Sequence, residues 1–83
     1  MHRTTPQFWL RFEQLPEAVQ SLARKNFALL KRDSTHPSLH FKKVGKYWSA
    51  RVGLHHRVLA VADGTDFIWA WIGDHDEYER LIG

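Results

Sequence analysis

Lys42-Lys43-Val44-Gly45-Lys46-Tyr47-Trp48-Ser49-Ala50-Arg51-Val52-Gly53-Leu54-His55-His56-Arg57 alternates in polarity, breaks at glycine, and alternates again. Period-two alternation predicts strands, and Gly45-Lys46 and Gly53 to His55 predict the turns between them. A turn centred on Leu54 sets Arg51 opposite Arg57, Ser49 opposite Leu59 and Trp48 opposite Ala60. Because side chains alternate across a strand, Arg51 and Arg57 then stand together on one face. Two adjacent guanidinium groups on a rigid sheet suit a phosphate ligand better than a protein interior.

Further strands are expected on either side. Leu39 to Val44 is the first, Tyr47 to Val52 the second, His56 to Ala62 the third and Asp66 to Ile72 the fourth. Asp63-Gly64 is the hairpin signal joining the last two. Before them, Thr5-Pro6 reads as an N-cap with proline at the first helical position, opening a helix to about Gln14. Leu15-Pro16 breaks that helix. A second runs from Pro16 to about Arg32, with Val19, Leu22, Ala23, Phe27 and Leu30 at helical spacing. Asp74 to Ile82 reads as a short closing helix with Asp74 as cap and Glu77 three residues on. The expected fold is α+β, with two N-terminal helices packed on one face of a four-stranded antiparallel sheet and a short C-terminal helix. The expected core face carries Trp48, Ala50, Val52, Val58, Ala60, Phe67, Trp69 and Trp71. The other face carries Ser49, Arg51, Arg57, Leu59, Val61, Ile68, Ala70 and Ile72. It is half apolar and half basic, with only the closing helix to cover it, which marks a binding surface.

Eighty-three residues suffice for one domain, spanning 1–83, and are too few for two. Four tryptophans and five phenylalanines supply the bulk of a small core. There is no cysteine, which removes disulfides and thiolate metal sites. No metal or other cofactor is expected from His36, His40, His55, His56 and His75. Nothing in Met1 to Arg11 reads as a signal peptide and no stretch approaches the length of a membrane span, so a cytoplasmic protein with no membrane partner is expected. The net charge is +3 with histidines neutral, but its layout says more. Lys31, Arg32, Lys42, Lys43, Lys46, Arg51 and Arg57 fill the middle against Asp33 alone. Asp63, Asp66, Asp74, Asp76, Glu77 and Glu79 fill the last third against Arg80. A basic centre beside an acidic end suits a polyanion, and a mixed solvated surface is the plainer alternative.

His36-Pro37-Ser38-Leu39-His40-Phe41-Lys42-Lys43-Val44, Tyr47-Trp48-Ser49-Ala50-Arg51-Val52-Gly53, His56-Arg57-Val58-Leu59-Ala60-Val61 and Trp71-Ile72-Gly73-Asp74-His75-Asp76-Glu77-Tyr78 follow one another in a telling order. In that order the chain resembles the RelE/ParE superfamily of bacterial toxins from type II toxin–antitoxin pairs. Members usually begin with a strand. Here the opening residues read as helix, so that sheet edge is expected to be missing or replaced. His56 stands where tyrosine is common before the central arginine, and Asp74-His75 follows the last strand's glycine.

The resemblance implies the toxin component of such a pair, silenced by a cognate antitoxin. RelE-type members cut mRNA in the ribosomal A site without metal, the ribose 2′-hydroxyl attacking its own phosphate. That chemistry needs cations at the phosphorane, a base and an acid. By resemblance Arg57 takes the phosphate, assisted by Arg51. Lys42, Lys43, Lys46 and Arg51 hold RNA, and His75 is acid or base with His56 as its alternative. Tyr78 stacks on a base or donates a proton. Two other readings stand beside this endoribonuclease: a ParE-like inhibitor acting on DNA gyrase, and a catalytically inactive relative that only binds a partner. Structural roles also stand for the same residues. Arg51 and Arg57 can pair with Asp74, Asp76 or Glu77 of the closing helix, and the lysines can protect an edge strand.

Overall fold

Thr5 stays extended, and its Oγ1 accepts the Phe8 N–H at 3.2 Å with Pro6 behind it. This cap starts α1 (Pro6–Glu13), which buries Phe8 and Phe12. The structure, a computed structural model, describes residues 1–82. Leu15-Pro16 interrupts the helical run. The Gln20 side chain donates back to the Leu15 carbonyl at 2.9 Å and to the Glu13 carbonyl at 3.3 Å, tying the two helices together. α2 (Glu17–Arg32) buries Ala23 and Leu30 and carries Lys31 and Arg32 in its last turn, where cations suit the helix dipole. No helix among the described residues is long and apolar enough to cross a membrane.

The sheet has five strands: β1 (His2–Thr4), β2 (Lys42–Val44), β3 (Tyr47–Val52), β4 (His56–Asp63) and β5 (Asp66–Asp74). Their spatial order is β1-β5-β4-β3-β2. α3 (His75–Ile82) closes the chain. β1 runs parallel to β5 while the other pairs are antiparallel. The expectation of four antiparallel strands and a missing edge is therefore corrected: the edge is present and the sheet is mixed. Three residues are too few to show alternation, so the strand left no period to read. Its pairing is held by Phe67 N–H to the Met1 carbonyl at 2.8 Å and Thr5 N–H to the Trp69 carbonyl at 3.2 Å.

A second correction concerns the strand expected from Leu39. Pro37–Leu39 form a 3-10 turn and His40 lies in the left-handed region at φ 46°, so pairing begins only at Lys42. Proline favours the turn, and the reversal at His40 carries the chain onto the sheet.

The β3–β4 hairpin has the expected register, with Arg51 opposite Arg57, Ser49 opposite Leu59 and Trp48 opposite Ala60. Gly53, at φ 66°, takes the left-handed conformation that its turn requires. The β4–β5 pair departs. Ala60 faces Trp69, but Leu59 faces Trp71, so Ala70 is an extra residue in a β-bulge. The bulge inverts the face of everything beyond it. Ile72 enters the core at 0% exposure, and Trp71 turns to the opposite side, half-buried. The expected placements of Trp71 in the core and Ile72 outside it are thus exchanged. The core joins Phe8, Phe12, Ala23 and Leu30 of the helices to Ala50, Val52, Ala60, Trp69 and Ile72 of the sheet. Each large side chain so enclosed contributes about 1.5–3 kcal/mol of transfer free energy.

Candidate functional site

Alternation along β3 and β4 sends Ser49, Arg51, Arg57 and Leu59 to the face away from α1 and α2. α3 lies across part of that face. It starts at Asp74, whose Oδ1 accepts the Glu77 N–H at 2.8 Å. The His75 N–H donates to the His55 carbonyl, also at 2.8 Å, pinning the helix start to the β3–β4 turn. The Glu77 side chain does not reach back to complete the capping box. Its Oε2 accepts from Arg11 Nη2 at 2.9 Å, while Arg11 Nε donates to the Ile72 carbonyl at 2.9 Å. The same guanidinium lies 5.1 Å over the Trp71 ring. Arg11 thus clamps α1, β5 and α3 together. Gly73 is required beside it, because a Cβ there would collide with the Trp71 indole.

Between α3 and the sheet is a cleft of about 180 Å³, lined by His40, Lys42, Val44, Ser49, Arg51, Arg57, His75, Tyr78, Glu79 and Ile82. That is room for roughly six waters at ~30 Å³ each, enough for a phosphate group. Arg51 and Arg57 sit in it side by side. Among the described residues neither forms an ion pair with Asp74, Asp76, Glu77 or any other carboxylate. Arg57 Nη1 donates to its neighbour's carbonyl, that of His56, at 2.8 Å, and the Arg57 guanidinium lies 5.9 Å from the Tyr78 ring centre. Arg51 Nε is buried and has no hydrogen-bond partner among the described residues. Burial, and then the adjacent Arg51 charge, push the Arg57 guanidinium below its ordinary value, opposed by Tyr78 and Glu79. Two crowded, under-satisfied cations are relieved by an anion that binds both.

His75 Nε2 meets Glu79 Oε1 at 3.0 Å, one helical turn on. Tyr78 is buried, its ring centre 6.0 Å from that of His75. With Arg57 over its face, Tyr78 is not free to stack on a base while α3 is seated.

The cleft therefore gathers Arg51, Arg57, His75, Tyr78 and Lys42 from the residues singled out in the sequence. Three others lie outside it. Lys43 pairs with Trp48 and so points to the other face of the edge strand. Lys46 sits in the β2–β3 turn, its Nζ 5.4 Å from the Tyr47 ring centre. His56 pairs with Val52 and Asp74, on the opposite face from Arg57. Burial lowers its pKa, and the Asp74 carboxylate opposes that shift. Sequence reasoning put Ser49 on this face but missed His40 and Glu79 as cleft residues. Helical spacing from His75 would have found Glu79. Among the described residues, no three His, Cys, Asp or Glu side chains are grouped to hold a metal.

A model of the ParE-like toxin domain matches residues 17–80. The chain belongs to that family. The ParE-like fold is also evident in solved structures. A chain of the RelB–RelE antitoxin–toxin complex from Methanococcus jannaschii superposes with a TM-score of 0.75 at 13% identity, over 98% of this chain and 99% of that one. The YoeB/ParE toxin from Agrobacterium tumefaciens gives 0.68 at 18%, over 89% and 96%. The isolated E. coli RelE toxin gives 0.65 at 7%, over 98% and 94%. At these identities the likeness is one of fold. No curated protein matches the sequence. The ParE-like domain is thus a RelE/ParE-superfamily toxin whose sheet presents, beneath its last helix, two arginines with no ion pair among the described residues.

Proposed function

We propose that this toxin is a metal-independent endoribonuclease that cuts ribosome-bound mRNA. The observation that carries the reading is the Arg51–Arg57 pair, which has no carboxylate partner among the described residues and faces a phosphate-sized cleft beside an imidazole. The scissile phosphate binds both guanidinium groups. The 2′-oxygen attacks phosphorus as the bond to the 5′-oxygen breaks, giving a cyclic phosphate and a free 5′-hydroxyl. His75 takes the 2′-hydroxyl proton, and Tyr78 is the candidate donor to the leaving oxygen. The arginines offset the extra charge of the phosphorane, the largest electrostatic demand of the step. Lys42, on the same side, steadies the adjoining backbone.

The partner is a cognate antitoxin. Toxins of this fold occur in antitoxin–toxin complexes from Methanococcus jannaschii and Mycobacterium tuberculosis. A segment bearing acidic and apolar side chains complements the face that carries Arg51, Arg57, Val61 and Ile68.

Translating ribosomes incubated with the toxin and read by primer extension test the proposal. Cuts at codon positions, absent with Arg57→Ala, are expected. Intact mRNA together with inhibited gyrase supercoiling would replace the reading with the gyrase one.

A further inference from the structure

We propose that Glu79 is a positioning residue for His75, fixing its tautomer and holding its imidazolium during RNA cleavage; the proposal rests on the cleavage reading above. A carboxylate only accepts hydrogen bonds. The 3.0 Å contact between Glu79 Oε1 and His75 Nε2 therefore places the ring hydrogen on Nε2 and leaves Nδ1 with its lone pair. That is the form a base needs. When Nδ1 takes the 2′-hydroxyl proton, oxygen-2′ bonds to phosphorus, the bond to oxygen-5′ breaks, and oxygen-5′ gains a proton from Tyr78 or water. The new positive charge on the ring then faces a carboxylate already in place. The same division of labour orients and stabilises the histidine of serine hydrolases.

The pair has little to offer as a stabiliser. Its side chains are 42% and 57% exposed, and exposed pairs of this spacing contribute little to folding. Nor is Glu79 a counter-ion seated on the arginines. It lines the cleft with Arg51 and Arg57, yet its one ion pair among the described residues is to His75. A carboxylate committed to the imidazole leaves both guanidinium groups open to phosphate.

Single-turnover cleavage of ribosome-bound mRNA, followed across roughly pH 5 to 9 for wild type, Glu79→Gln, His75→Gln and the double variant, tests this. Glu79→Gln should keep the melting temperature and the half-saturating ribosome concentration. It should slow the chemical step by about 10–100-fold, as loss of an orienting partner does, and displace the acidic limb of the pH profile. In the His75→Gln background it should add nothing. Ring nitrogen shifts should report Nε2–H for His75 in wild type and mixed tautomers in Glu79→Gln. A Glu79→Gln variant with wild-type rate and profile, or an Nδ1–H tautomer in wild type, overturns the proposal while cleavage stands. Wild type that cuts no mRNA overturns the cleavage reading and this one with it.

Discussion

Replacing His2 with phenylalanine separates a hydrogen bond from the packing around it. His2 Nδ1 accepts the Trp69 indole N–H at 3.0 Å. Its ring stacks on Phe67 at 5.6 Å and meets Phe27 edge-on at 5.8 Å. Phenylalanine keeps the ring contacts and removes the acceptor. Trp69 is 2% exposed, so water does not replace the lost partner, and an orphaned buried donor costs about 1–3 kcal/mol. At about 4–8 °C per kcal/mol for a domain of this size, the melting temperature should fall by roughly 5–20 °C. The same residue makes stability depend on pH. Burial first, then the N-terminal ammonium and Lys31, lower the His2 pKa from its ordinary 6.5. The unfolded chain therefore takes up the proton more readily than the folded one. Stability is whole above about pH 6.5 and falls as pH drops below it, levelling off only beneath the folded pKa. His56 shifts in the same direction, so His2→Phe should remove part of the slope and His56→Gln another part. Melts followed by tryptophan fluorescence from about pH 8 to about pH 5 supply the measurement. A His2→Phe protein that melts with wild type at neutral pH, or keeps the full acid slope, would refute the reasoning.

Arg57→Ala should abolish mRNA cleavage yet move the melting temperature little, because its bonds are to the adjacent carbonyl and to the face of Tyr78; a large loss of stability would make Arg57 structural. Binding to single-stranded RNA should weaken with salt at a log–log slope near −2, about −0.7 for each of Lys42, Arg51 and Arg57, and a flat response would remove the phosphate site. Ile72→Ala should cost about 2–5 kcal/mol in denaturant unfolding, more than Trp71→Ala, and the reverse order would contradict the bulge. Asp74→Ala should fray α3, seen as faster amide exchange at Glu77, whose N–H that carboxylate caps.

Local chemistry made the helices and the central hairpin legible. Thr5-Pro6, Leu15-Pro16 and Gly53 each act within a few residues, and they fixed α1, α2 and the Arg51–Arg57 pairing. The bulge at Ala70 was not legible, since Trp69-Ala70-Trp71-Ile72 accommodates either face and the choice falls to packing against α1. β1 left no signal because its partner lies more than sixty residues away and three residues carry no period. Within the cleft, the arginine pair followed from alternation together with the turn at Gly53. Alternation also sends adjacent Lys42 and Lys43 to opposite faces, so only one of them can serve a single groove. His40 enters the cleft through a left-handed turn that its own side chain does not announce.

Parallel pairing of β1 with β5 dictates the order in which the molecule can be finished. Helices and the β2–β3–β4 meander need only nearby residues and can assemble while synthesis continues. Residues 2–4 have nothing to join until 67–69 exist, so the first strand made is the last one docked. Until β1 docks, β5 has a bare margin and Trp69 lacks its acceptor. A nascent chain is therefore incomplete along that margin until residues 67–69 have been made and β1 has docked.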